Sequence, residues 1–184
     1  MKEISLHILD LAQNSIRAGA DNVLIRIEED SAADTFSVSL TDDGCGMGAE
    51  MAKSVQNPFV TTRTTRKVGL GIPLFKAGCE NCAGTLESEL GRGTRIAGTY
   101  QRSHIDRPPL GNIADTIAML IAANPKLHLR YEHKLNGEEY ALDTAEVQEI
   151  LGEVPLDMPE VTAFIAEFIE TNESELESME VQKS

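Results

Sequence analysis

A switch in hydrophobic period near the start of the chain constrains its folding more than any other feature. Residues 4–18 carry Leu9, Ala12 and Ile16 at helical spacing, supported by Ile8 and Leu11, and Gly19 stands where such a helix would stop. Directly afterwards the period falls to two. "NVLIRIEE" turns Val23, Ile25 and Ile27 to one side, and "FSVSL" does the same with Phe36, Val38 and Leu40. The pattern predicts one helix followed by two half-buried strands, the second running straight into "TDDGCGMG".

The same helix carries polar residues in register. His7, Asp10, Asn14 and Arg17 are spaced 3, 4 and 3 apart, so they share a face opposite the apolar residues. Taken alone, such a stripe reads as a solvated side. "DDGCG" alters that reading. Acidic residues and spaced glycines at a strand end let the backbone turn sharply and approach a ligand, although a DG pair is also common in plain turns. Further on, "TTRTTRKVGLG" sets Arg63, Arg66 and Lys67 before glycines that open a helix. Threonine hydroxyls, cations and the free N–H groups of a helix start suit a polyphosphate, though the segment lacks the Walker pattern. "GRGT" at 91–94 is by itself only a hairpin turn beside a hydroxyl.

The remaining elements are readable in outline. Residues 49–68 suggest a short helix and then an irregular loop, Leu70 to Cys82 a helix, and 85–100 a hairpin with a Gly-rich turn. "IDRPPLGN" breaks the pattern; "IADTIAMLIAAN" is an apolar helix, and "LHLRYEHKLNGEEYAL" is a hairpin turning at Asn136-Gly137. "DTAEVQEIL" opens on an Asp/Thr cap, and "MPEVTAFIAEFIE" is amphipathic. Towards the end Glu173, Glu175, Glu177 and Glu180 face only Lys183, so 173–184 is expected to be a solvated, disordered acidic tail.

A net charge of −14 argues against a protein that grips nucleic acid backbone. No apolar run approaches membrane-spanning length and no signal-peptide pattern opens the chain, so no membrane contact is expected. Three cysteines without disulfide spacing fit a reduced, cytoplasmic protein. Cys79 and Cys82 form a CxxC with no second pair or histidine to complete a zinc set, which favours packing over metal.

The order of these motifs resembles the GHKL ATPases, the group of DNA gyrase B, heat-shock chaperone ATPases, histidine kinases and mismatch-repair MutL. "DLAQNSIRAGA" is similar to the N box, "DDGCGM" to the first G box, "VGLGIPLF" to the second and "GRGTRI" to the third, over roughly residues 4–100. "NPFVTTR" with "GLG" leans to the histidine-kinase ATPase domain, and "NSIRAGAD" to MutL. The resemblance implies a Bergerat fold, an α+β two-layer α/β sandwich whose mixed, mostly antiparallel sheet lies under helices. It implies an ATP-binding domain over 1–102, leaving 103–172 as a small C-terminal α/β extension.

The resemblance also implies roles for individual residues. Asn14 holds the Mg²⁺ that bridges the phosphates, and Asp42 reads the adenine amine. Gly44 and Gly46 give the base close backbone approach, with Met47 packing nearby. Arg17 falls where a phosphate-contacting cation sits, Gly69 and Gly71 offer N–H groups, and Thr62, Arg63 and Lys67 are lid candidates. Thr94 matches the hydroxyl of the third box. Asp10 stands where ATPase branches carry a glutamate base, one methylene longer, and either carboxylate can accept a proton within reach.

No phosphoacceptor-histidine domain is expected before the N box, and the chain after Arg102 is short for a transducer domain. The expectation is therefore a stand-alone, histidine-kinase-like ATP-binding regulator that hydrolyses Mg-ATP slowly and contacts a protein partner through its extension. The alternatives are a serine protein kinase resembling anti-sigma factors and a switch that holds ATP without turnover.

Overall fold

The computed structural model describes residues 3–46, 71–91 and 93–183. Helix α1 (Ile4–Arg17) precedes β1 (Asn22–Asp30) and β2 (Thr35–Asp42). Helix α2 (Gly71–Asn81) leads into the hairpin β3 (Leu86–Gly91) and β4 (Gly93–Gln101). Then come α3 (Ile113–Ala123), β5 (His128–Leu135), β6 (Glu138–Asp143), α4 (Thr144–Leu151) and α5 (Pro159–Lys183).

The strands form one sheet in the order β3-β4-β2-β1-β5-β6. All neighbours are antiparallel except β1 and β5, which run parallel because α3 carries the chain across the sheet. Val23, Ile25 and Ile27 of β1, Phe36, Val38 and Leu40 of β2, and Leu129 and Tyr131 of β5 are buried on one face. The opposite face carries ion pairs such as Arg26–Glu132 (2.6 Å) and Lys134–Glu28 (3.5 Å), which leave it wet. Helices α1 and α2 pack on the buried face, and α3 packs against α1 and α5. This is the expected two-layer α/β sandwich, and residues 103–172 add β5 and β6 to the same sheet.

Backbone geometry explains two of the sequence breaks. The "RPPLGN" segment caps α1: the N–H groups of Ile4 and Ser5, which no helical carbonyl can serve, donate to Pro109 (3.0 Å) and Leu110 (2.8 Å). At the β5–β6 turn, Asn136 and Gly137 both have positive φ (52° and 92°), as the two-residue hairpin requires.

Both CxxC thiols lie in the core. Burial pushes Cys79 up to about 11, so it stays a protonated packing group. Gly98 leaves the room this needs, since a Cβ there would meet Phe75 Cζ at 2.4 Å and Cys79 Sγ at 2.8 Å.

The acidic C-terminus departs from expectation. In place of a disordered tail from Glu173, α5 continues to Lys183. Leu176 is buried. The Glu173 carboxylate accepts from the Tyr131 hydroxyl (2.9 Å), pairs with His133 Nδ1 (2.8 Å) and also accepts from the Tyr140 hydroxyl. Glu180 pairs with Arg102 at 2.7 Å. Two of the acids that look mutually repulsive in sequence are thus paired with the sheet, Glu173 with His133 of β5 and Glu180 with Arg102 just after β4, while Glu175 and Glu177 are exposed.

Candidate functional site

The polar stripe of α1 is a gradient from core to surface. His7 is buried with its ring 5.3 Å from that of Phe75 on α2, and burial lowers its pKa, favouring neutral imidazole. Asp10 and Asn14 are half-buried and Arg17 is exposed. His7 therefore belongs to the core, while the open part of the stripe begins at Asp10. Leu9 and Ile16 are only partly buried, and the fully buried line is Ile4, Ile8, Leu11, Ala12 and Ser15.

Where β2 ends, the turn is stitched to the end of α1. Cys45 N–H donates to Ala18 O at 3.0 Å, and a Cβ on Gly44 would press on Ala18 at 3.1 Å. Asp42 is buried there with both oxygens engaged: Oδ1 accepts from Gly44 N–H (3.0 Å) and Oδ2 from the Ser15 hydroxyl (2.6 Å). Thr94 of β4 is its cross-strand partner and is also buried. Gly93 has φ +87°, and a Cβ there would lie 2.0 Å from the Asp42 carbonyl oxygen. Gly46 likewise has φ +77°.

The neighbouring acid does different work. Asp43 accepts from Asp21 N–H (2.9 Å), Asn22 N–H (2.8 Å) and Asn22 Nδ2 (2.6 Å), and the Asn22 bonds hold its carboxyl below the usual range.

Asp10 reaches the first residue of α2. A Cβ on Gly71 would lie 1.5 Å from Asp10 Oδ2, so only glycine fits beneath this carboxylate. That oxygen is buried and has no hydrogen-bond partner among the described residues. A buried acceptor left open calls for a donor such as a water or a ligand hydroxyl. Asn14 Oδ1 meanwhile accepts from Arg17 at 2.9 Å, and Arg17 also reaches Gln13 at 3.3 Å.

The structure thus brings Asp42, Gly44 and Thr94 together at the end of β2, Asp10 against Gly71, and Asn14 against Arg17. Met47, Thr62, Arg63, Lys67 and Gly69, with the short helix and loop expected over 49–68, lie outside the described residues. Sequence reasoning missed Ser15, Gly93 and Asn22. Ser15 had a signal, a hydroxyl on the buried face one residue after Asn14; the other two act through contacts distant in sequence.

The residues fit a magnesium nucleotide chemically. Asn14 supplies a hard amide oxygen, Asp42 a fixed acceptor, and Asp10 an open one above a helix start, where the dipole favours anions.

Comparison with known proteins agrees on the fold. No curated protein matches the chain in sequence. A solved structure titled N-terminal domain of a DNA repair protein has a TM-score of 0.52 at 14% identity, covering 78% of this chain and 53% of its own. The chain therefore spans about half the length of that relative. The Aquifex aeolicus MutL ATPase domain complexed with ADP gives a TM-score of 0.46 at 14% identity, covering 82% of this chain and 69% of that one. The histidine kinase domain of the Erythrobacter litoralis EL346 blue-light activated histidine kinase gives 0.32 at 15% identity, with 46% and 35% covered. No described helix is long and apolar enough to cross a membrane. Residues 2–103, more than half of the chain, match the family described as histidine kinase-, DNA gyrase B-, and HSP90-like ATPase. With the motifs assembled around the end of β2 and the start of α2, the chain belongs to that ATPase family.

Proposed function

We propose that this chain binds Mg-ATP at the junction of α1, the β2 turn and the start of α2, and hydrolyses it slowly. The observation that carries the reading is the buried Oδ2 of Asp10 against Gly71, which has no hydrogen-bond partner among the described residues. Asp42 accepts the exocyclic amine of adenine with lone pairs that Ser15 and Gly44 leave open, and fixed acceptors of this kind discriminate strongly between bases. Gly44 and Gly46 admit the base, Met47 packs beside it, and the Thr94 hydroxyl completes the floor. Asn14 holds Mg²⁺, which when bound spreads the charge of the phosphates. Arg17, Thr62, Arg63 and Lys67, with the N–H groups of Gly69 and Gly71, contact the phosphate chain. Asp10 takes the proton of the attacking water. The protein works as a cytoplasmic regulatory module whose C-terminal extension meets a protein partner.

The test is an ATP titration with product analysis. Wild type should bind ATP with Mg²⁺ and release ADP and phosphate. Asp10→Ala should keep binding and lose turnover; unchanged turnover would remove Asp10 as the base. Asn14→Ala should lose the Mg²⁺-dependent part of binding. Label from the γ-phosphate moving to another protein would indicate the protein-kinase alternative, and binding with neither hydrolysis nor transfer would indicate the switch.

A further inference from the structure

A line of side chains runs from the β2 turn into strands that the family match does not reach. Asn22, at the start of β1, donates Nδ2–H to Asp43 Oδ2 at 2.6 Å. That bond fixes the amide, because the flipped form would set its oxygen against a carboxylate. Asn22 Oδ1 consequently faces Nδ1 of His128 at 2.8 Å. His128 opens β5 in direct register with Asn22, and its backbone N–H donates to Asp21 O at 3.0 Å. Its Nε2 lies 2.8 Å from Asp143 Oδ1. Asp143 in turn accepts from Ala145 N–H (2.9 Å) at the start of α4 and from Arg130 (3.2 Å).

The end of this line is the turn itself. Asp43 has three donors, and they hold the peptide that carries the Asp42 carboxylate and the Gly44 N–H. One of the three comes from the Asn22 amide, whose oxygen faces His128 Nδ1. The family match ends at residue 103, so His128 and Asp143 lie outside the matched stretch.

We propose that His128 is a positioning residue for the nucleotide turn, acting through Asn22 and Asp43 to hold the Asp42–Gly46 backbone in its binding shape. The affinity part rests on the nucleotide reading above; the positioning part does not. An imidazole is suited to this task because its two ring nitrogens face different strands, Nδ1 towards Asn22 Oδ1 on β1 and Nε2 towards Asp143 Oδ1 on β6.

Cys45 provides the readout. It is exposed within the turn, whereas Cys79 and Cys82 are buried, so its labelling rate with a disulfide reagent tracks the order of the turn. His128→Ala is expected to speed Cys45 labelling and weaken ADP binding, each by about five- to tenfold, the scale of one hydrogen bond. His128→Asn places an amide donor where Nδ1 stood and should restore both readouts. His128→Gln places it where Nε2 stood, serves Asp143 alone and should restore neither.

Unchanged labelling in His128→Ala, or equal rescue by Asn and Gln, overturns the proposal. If His128→Ala does not fold, the Asn and Gln variants decide between themselves. If wild type fails to bind ADP, the nucleotide reading falls and the labelling rates still settle the role of His128.

Discussion

Ser15 of α1 and Asp42 of β2 meet through a 2.6 Å hydrogen bond, both buried, and this contact joins the helix that carries Asn14 to the strand that ends in the glycine turn. Removing the hydroxyl leaves a buried carboxylate oxygen short of a donor, a loss of about 1–3 kcal/mol. Ser15→Ala should therefore lower the melting temperature and weaken ADP binding about tenfold or more. The preference for adenine over guanine nucleotides should fall with it. Calorimetric titration with ADP and GDP measures both, and unchanged affinity and preference would mean that Asp42 is held without Ser15.

The parts legible in the sequence are those whose physics is local. Alternation in "NVLIRIEE" and "FSVSL" predicts strands because each apolar residue repeats on the same side, and those residues are the buried ones. Asn136-Gly137 predicts a hairpin because positive φ is inexpensive there, and both residues adopt it. The site is legible as a motif order, but its constraints are not. Nothing in "GLG" announces that Gly71 must lack a Cβ because Asp10 lies on it. The acidic tail misleads for the same reason, since Arg102 and His133, its neutralising partners, lie far away along the chain.

Two glycines of α2 should respond in opposite ways to the same substitution. Gly71→Ala forces a Cβ to within 1.5 Å of Asp10 Oδ2, so the carboxylate must move. ATP turnover should drop about tenfold or more, since a misplaced catalytic group costs up to a hundredfold. Gly78→Ala meets, among the described residues, only Tyr100, at 3.6 Å, and should stabilise the protein by about 0.5–1 kcal/mol through helix propensity. Turnover assays and thermal melts on the pair check this; full activity in Gly71→Ala would contradict the contact.

The last turns of α5 should behave as folded structure. Leu176 is buried and Glu173 and Glu180 are tied to the sheet, so amides near 172–180 should exchange with solvent much more slowly than those of a free chain. Truncation after residue 172 removes Glu173 and Glu180 and leaves His133 and Arg102 to share Glu29, and should destabilise the fold by about 3–5 kcal/mol, the usual result of breaking a buried pair. Hydrogen exchange at free-chain rates over this stretch, with a truncated chain as stable as the full one, would restore the frayed tail.

The same network gives stability a pH signature. Burial alone would lower the pKa of His133, but bonds to Glu173 and Glu29 raise it from 6.5 to about 9. Burial would raise Glu173 and Glu29, yet the bonds to His133, together with tyrosine hydroxyls at Glu173 and Arg102 at Glu29, hold both below their ordinary 4.5. A raised histidine contributes stability fully below 6.5 and loses it as pH climbs through about 9. The lowered carboxylates contribute above 4.5 and lose it as acid protonates them. The network therefore supports the fold most strongly between 4.5 and 6.5. In urea unfolding at stepped pH, the gap between wild type and His133→Gln should narrow as pH rises from 6.5 to about 9. A gap that stays constant across that window would show that His133 is not held protonated by these carboxylates.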